Sequence, residues 1–511
     1  MQKVAEKPKA SASSGLQILF LTAVAAVAVA LFVLGNLAAL NQNDFMYAVA
    51  PAVWAQNGAL YTDVPYPQAP LSILLNSSLA VLTGSVNVFL VGRIFSMVLV
   101  VLAVLLPVLD RSKLRDVDIW ILYVALCITN YFVISNSREI GNYALSLFCL
   151  SAALTVVVRT GSPLWRGFIA FVFVGLAASA KLYFIIVSPA LFLFLLFIEP
   201  KARDLKVLLA CVVGLLFGLA PVLYFLARDH QNFLQWTVGF FQVIMPSRLA
   251  GTADAVRRIA NMLALFASLM AIPIGFFAVA AWKAWRQGGN ELREKSAQFL
   301  LLGATCAMAV SPIILFGQYF GPLALLLLLF SAPWNSSNER TRSLYRVFAG
   351  AMFCVQCVVL AAIIGPDIGR DGNVALAEVL KVQKEARRVV VNDYRCDRRL
   401  YSTVPLFLLE NEVRYPPELV AGPFLMFFLR GNELAQKGLE FDLKSHIEKW
   451  NPDVVIWGYF LDSHDDAERA VDAFIRGYAL DQHFIAVPLG RVDGHDITLG
   501  YRSGCKSVAT K

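Results

Sequence analysis

The sequence predicts a mostly α, polytopic transmembrane helical bundle of about eleven spans, with a C-terminal extracytoplasmic α/β domain. Three observations predict it. The 511-residue chain is 58% hydrophobic and only 16% charged, with a mean hydropathy of +0.63; a soluble domain carries about 25% charged residues. Apolar runs recur along residues 1–365 at lengths that suit hydrocarbon, which takes roughly 17–25 residues per helix. Across residues 366–511 those runs shorten and the composition becomes that of a soluble module.

The N-terminal stretch "MQKVAEKPKASASSG" is polar and cationic, and 25 apolar residues follow it. That run exceeds the roughly 7–15 of a signal-peptide core, so it reads as a retained anchor. The expected spans are 15–40, 87–109, 118–136, 140–158, 166–181, 183–198, 207–227, 259–281, 298–316, 319–333 and 347–365. The stretches 166–198 and 298–333 read as tight hairpins. A long outer loop, 41–86, separates the first two spans. Its segment "PLSILLNSSLAVLTG" is too short to cross and reads as a helix lying in the interface.

Loop charges orient the bundle. With the N-terminus cytoplasmic, the inner loops "DRSKLRDV", "RTGSPLWR", "EPKARDLK", "WKAWRQGGNELREKSAQ" and "NSSNERTRSLYR" carry 3, 2, 3, 4 and 3 Lys+Arg. The outer loops at 41–86 and near 317 carry none. This is the positive-inside pattern. The outer loop 228–258 departs from it with four arginines. Eleven spans leave the C-terminal domain outside the cytoplasm. The net charge of +8 divides unevenly: residues 1–365 hold 25 basic against 14 acidic residues, and 366–511 hold 19 against 22. The basic excess therefore orients the membrane part and calls for no nucleic-acid partner.

In the outer domain, "RRVVVND" and "PDVVIWGY" are short β-branched runs bounded by turn residues and read as strands. "HDDAERAVDAFIRGY" has helical spacing, with Ala467, Ala470, Val471, Phe474 and Ile475 on one side and acids in its first turn. Six of the eight cysteines fall in expected spans, where the Cys354-x-x-Cys357 pair reads as helix packing. The other two, Cys396 and Cys505, lie in a compartment that permits disulfides. A Cys396–Cys505 bridge is the expectation, and two unpaired thiols the alternative. His230, His446, His464, His483 and His495 show no metal-ligand spacing to one another. No metal is assigned; a divalent cation stays open but is not indicated.

Ionisable groups at membrane depth or on an apolar rim are expensive and point to function. Here they collect on the outer side. Asp44 and Asp63 lie in the first outer loop and are the only charged residues between Ala10 and Gly92. Arg93 sits about two turns into the second span. Arg138 and Glu139 lie at the turn between spans three and four, and Lys181 at the tip of the first hairpin. Arg248 lies in the fourth outer loop, and Gln318 and Tyr319 in the fifth. Cations at that depth suit a lipid-headgroup phosphate. A carboxylate beside them suits a general base, because an attacking hydroxyl must lose its proton. The bland reading makes Arg138–Glu139 a solvated turn, Lys181 a snorkelling side chain and Arg248 a loop charge.

The stretch "NDFMYAVAPAVWAQNGALYTDVPYPQAPLSILLNSSLAVLTGSVNVFLVGRIFS" resembles the first outer loop and second span of GT-C type membrane glycosyltransferases. It resembles particularly the bacterial ones similar to protein mannosyltransferases and aminoarabinose transferases, glycosyltransferase family 39-like. The resemblance is carried by Asp44, Tyr47, Gly58, Leu60, Tyr61, Asp63, Pro70, Leu71, Gly84 and Arg93. It extends over about residues 15–200, and the later spans match in layout. It implies a sugar donor on a polyprenyl phosphate and inverting hexosyl or pentosyl transfer to an extracytoplasmic glycan, lipid or protein. Asp44 would activate or position the acceptor hydroxyl. Lys181, with Arg93, Arg138 and Arg248, would hold the phosphate, and Asp63 would assist the acceptor. Tyr61, Glu139 and Tyr319 complete the implied substrate-binding set. Many relatives carry two adjacent acids where this chain has Asn43-Asp44-Phe45, a single one.

Two other classes compete. A transporter or lipid flippase would place its ionisable groups near the midplane, often in paired halves; this sequence shows no internal symmetry and has a large loop after span one. A non-catalytic assembly protein would leave Asp44→Asn silent.

Overall fold

The structure is a computed structural model. It describes residues 12–37, 39–40, 47, 50–51, 54, 59–62, 64, 66–83, 88–109, 116–138, 140–159, 161–239, 252–311, 317–334, 338–367, 374–395, 399–402, 414–416, 442–458, 466–492, 495–503 and 506–507. Helices dominate up to residue 367. The first, α1 (Ala12–Leu37), carries no charge. One of its faces is buried at Val24, Ala28 and Phe32, while Leu19, Phe20, Val29 and Leu34 are exposed. A helix apolar on both faces and packed on only one has its other face in lipid.

Among the described residues five helices are long and apolar enough to cross a membrane: Ile18–Asn36, Leu90–Val108, Pro163–Ala180, Ile259–Gln287 and Glu339–Ala362. A bent pair, Leu205–Gly218 with Ala220–Arg228, makes six if it is one span. Four other expected spans fall on shorter apolar helices, Val117–Thr129, Asn142–Val158, Leu182–Ile198 and Gly317–Ser331; the remaining one, 298–316, overlaps Gly289–Val310, which opens on charged turns, and runs on past the described residues. The protein is an integral membrane protein. Breaks explain part of the shortening. After Thr129 the backbone turns extended at Asn130, whose side-chain oxygen accepts from Phe132 N at 3.1 Å and Val133 N at 3.4 Å, starting a new turn.

The tightest crossing pairs α2 (Pro163–Ala180) with α3 (Leu205–Gly218). A Cβ on Gly214 would lie 2.3 Å from the Phe168 carbonyl oxygen, and one on Gly218 2.2 Å from that of Val172. "GLLFG" is thus a small-xxx-small contact that lets two backbones meet where lipid supplies no hydrophobic force between helices. At the opposite end of α2 from Ala180, loops expected to be cytoplasmic are tied by ion pairs. Arg166 meets Glu199 at 2.7 Å, Arg342 meets Asp116, and Arg346 meets Asp118.

Beyond residue 367 a mixed sheet forms, in the order β3 (Leu400–Tyr401), β4 (Val454–Trp457), β6 (His495–Arg502), β5 (Phe484–Val492). Its β3–β4 pair is parallel and the other two are antiparallel. "PDVVIWGY" supplies β4 as expected. The helix Asp466–Asp481 buries Val471, Ile475 and Ala479, with Ala470 exposed rather than inward. "RRVVVND" is a correction. Arg388–Asp393 is a π-helical turn continuing the helix Leu376–Arg387. Val389 and Val390 are buried in that turn, so core contact rather than strand pairing absorbs the β-branched run. A small ribbon pairs β1 (Ala39–Leu40), just after α1, with β2 (Val374–Ala375), just after the last membrane helix.

Candidate functional site

The first outer loop turns at Tyr61, a non-glycine residue held at φ 71°. Its ring is buried between Phe225, 5.4 Å away edge-on, and Phe233 at 5.1 Å. Its hydroxyl donates to the main-chain oxygen of Gln68 at 2.7 Å. Five residues on, Tyr66 shares a hydrogen bond with Ser72 at 2.9 Å. Burial pushes both phenols well above their ordinary range, so both stay neutral. Tyr61 is therefore packed in an aromatic slot, with its hydroxyl already committed to Gln68.

Gln68 opens the helix Pro70–Thr83 and is itself buried. Lys181 Nζ donates to its side-chain oxygen at 2.5 Å, and Asn142 Nδ2 donates to the same oxygen at 3.0 Å. Lys181 follows α2 directly, in extended backbone before the turn Leu182–Val187. It is 7% exposed, so its charge is withdrawn from water rather than snorkelling into it. The ammonium lies 4.5 Å from the centre of the Tyr143 ring and 5.9 Å from that of Tyr183. Tyr319, in the turn Gly317–Phe320, closes the aromatic group, with its ring 5.7 Å from Tyr143 and 5.5 Å from Tyr183.

The remaining expected residues divide. Arg93 is 1% exposed on the helix Val88–Leu105. Its neighbour Gly92 is in such close contact with Ile140 that a Cβ there would lie 2.6 Å from a side-chain carbon. Gly141 meets the Tyr47 ring in the same way, at 3.1 Å. Tyr47 stands three residues after Asp44, and Gly141 directly before Asn142. Arg138 is half-buried in the same turn. Asp44, Asp63, Glu139, Arg248, Cys396 and Cys505 lie outside the described residues. Among the described residues no three His, Cys, Asp or Glu side chains gather as a metal site.

Charge was the wrong filter for Gln68, Asn142, Tyr143 and Tyr183, which are neutral. The usable signal was a polar side chain between two prolines, "YPQAP", and an "NY" after a glycine.

The chain as a whole is similar in fold to a solved structure, ArnT from Cupriavidus metallidurans bound to undecaprenyl phosphate. It superposes with a TM-score of 0.56 over 96% of this chain and 98% of that one, at 12% identity. Its apo structure gives 0.54 over the same shares. The fold is that of ArnT, of the GT-C type. No protein-family profile and no curated protein matches the sequence.

Proposed function

We propose that the protein is a membrane glycosyltransferase. It moves a hexosyl or pentosyl group from a polyprenyl-phosphate donor to an extracytoplasmic glycan, lipid or protein acceptor, with inversion. The observation that carries this is a buried lysine in an aromatic cradle, in a chain with the fold of a protein solved with undecaprenyl phosphate. A withdrawn ammonium is a strong partner for a phosphate, because desolvation strengthens the attraction.

Asp44 is the general base. It takes the proton of the acceptor hydroxyl as that oxygen forms a bond to the anomeric carbon and the bond to the phosphate oxygen breaks. Lys181 stabilises the charge that stays on the polyprenyl phosphate, with Arg93, Arg138 and Arg248 on the same anion. Asp63 and Glu139 bind the acceptor, and Tyr61 and Tyr319 wall the site. Support for Asp44 is local: Tyr47, on the same segment, packs on Gly141 beside Asn142, which shares Gln68 with Lys181. No metal enters these steps. We further assign residues 1–365 as the catalytic membrane module and 366–511 as an extracytoplasmic domain of a bacterial inner membrane protein.

The test is release of free polyprenyl phosphate from a panel of polyprenyl-phosphate sugars, by wild type and Asp44→Asn in nanodiscs. Turnover that falls by about 100-fold or more in the mutant fits a general base. Turnover that survives moves the base to Asp63 or Glu139. Translocation of lipid across a vesicle without sugar release would replace the transferase with a flippase.

A further inference from the structure

We propose that Gln68 is a positioning residue for Lys181: its amide oxygen, shared with Asn142, aims the ammonium at the donor's lipid phosphate without cancelling its charge. The inference rests on the reading of Lys181 as the phosphate-holding cation.

The hydrogen bonds fix the amide's orientation. A lysine ammonium only donates, so the Gln68 atom facing Lys181 Nζ at 2.5 Å is the oxygen. That same oxygen faces Asn142 at 3.0 Å, so Asn142 presents its NH2 group there. Two donors occupy the two lone pairs of one carbonyl oxygen. Gln68 cannot turn its amide without withdrawing the oxygen that both buried donors face, and Lys181 and Asn142 are 7% and 0% exposed.

The main chain is pinned as well. The Tyr61 hydroxyl holds the Gln68 carbonyl at 2.7 Å, and a proline follows two residues on. A lysine alone is a compact charge on a flexible four-carbon stem with no preferred aim. Here the stem emerges from the end of α2, the rings of Tyr143 and Tyr183 flank the charge, and Gln68 sets its last direction. An uncharged acceptor is the right chemistry for that task. A carboxylate at position 68 would make the same hydrogen bonds and compete with the phosphate for the cation.

Gln68→Glu separates positioning from support of the fold. It keeps the side-chain length and the accepting oxygen, so a purely structural hydrogen bond survives it. Full-length wild type, Gln68→Glu, Gln68→Met, Lys181→Met and the Gln68→Met/Lys181→Met double variant would be placed in nanodiscs. Binding of labelled undecaprenyl phosphate and the melting temperature would be measured for each. Gln68→Glu is expected to melt no lower than wild type yet to bind about tenfold or more weakly. Gln68→Met is expected to bind about 3- to 10-fold more weakly, and the double variant no worse than Lys181→Met, because the two residues act as one unit. Wild-type binding by both Gln68 variants, with binding lost in Lys181→Met, overturns the positioning role and leaves the proposed function intact. Wild-type binding by Lys181→Met overturns the phosphate assignment, and the positioning role with it.

Discussion

Ser179 Oγ donates to the main-chain oxygen of Gly218 across 2.8 Å, beside the break where Leu205–Gly218 and Ala220–Arg228 bend by 59°. Pro221 has no N–H to continue the helix. In a membrane the polar groups at such a break need partners from neighbouring helices. Ser179→Ala is expected to cost about 1–3 kcal/mol by orphaning that carbonyl. Gly218→Ala adds a Cβ 2.2 Å from the Val172 oxygen and 2.8 Å from Gly175 Cα, backbone atoms that cannot swing aside. It is expected to cost a similar amount through overpacking. Gly275→Ala, with nothing within 4 Å of the new carbon, is the matched control and should melt no lower than wild type. Equal melting of all three variants in detergent would remove this crossing as a determinant of stability.

The bent span ends on a second clasp. Asp229 accepts from the Thr62 hydroxyl at 2.7 Å and from Asn232 through its main-chain and side-chain N–H groups. The bonds from Asn232, then Thr62, lower its pKa from 3.8. A carboxylate lowered on folding contributes stability above its unfolded pKa and loses it as the pH falls through the folded one. The melting-temperature gap between wild type and Asp229→Asn should therefore be constant from about pH 7 to pH 5 and close below about pH 4. A gap that widens on acidification would contradict the assignment.

Cys396 and Cys505 lie outside the described residues, but the strands leading to them do not. Tyr394 pairs with Ser507 and Arg395 with Lys506, antiparallel. The bridge between them is expected because an extracytoplasmic compartment permits disulfides and these are the two cysteines of residues 366–511. In protein isolated without reductant, both thiols should resist alkylation until reduced, and Cys396→Ser should lower stability by about 2–4 kcal/mol. Immediate labelling of both would exclude the bridge.

Much of the membrane architecture was legible because hydrocarbon thickness leaves a length signature. Ten of the eleven expected spans fall on an apolar helix or a bent pair, and the hairpin around Lys181 turns where the sequence put it. The sheet strand Val454–Trp457 was legible for a similar reason, a β-branched run between turn residues. "RRVVVND" misled because the same residue types also bury well on a helical turn packed against the sheet. In the site, Lys181 could be picked out as a charge in the wrong place. Gln68 carried a weaker signal, an amide between two prolines: its partner is 113 residues away, and a neutral amide looks alike in a loop and in a site.

Tyr61 offers the sharpest test of how the first loop is held. A tyrosine at φ 71° is strained by roughly 1–2 kcal/mol, so the surrounding packing must over-determine it. Two contacts do so, the Phe225–Phe233 slot and the hydroxyl on Gln68. Tyr61→Phe keeps the slot filled and removes only the hydroxyl, with an expected cost of about 1–3 kcal/mol. Tyr61→Gly relieves the strain but empties the slot, and losing a buried ring costs about 3–5 kcal/mol, so relief should not compensate. The order wild type, Tyr61→Phe, Tyr61→Gly should appear in melting temperature. Donor KM should already rise in Tyr61→Phe, because freeing the Gln68 backbone loosens the residue that aims Lys181. A Tyr61→Phe protein with lower stability and unchanged donor KM would show that the loop supports the fold without reaching the phosphate site.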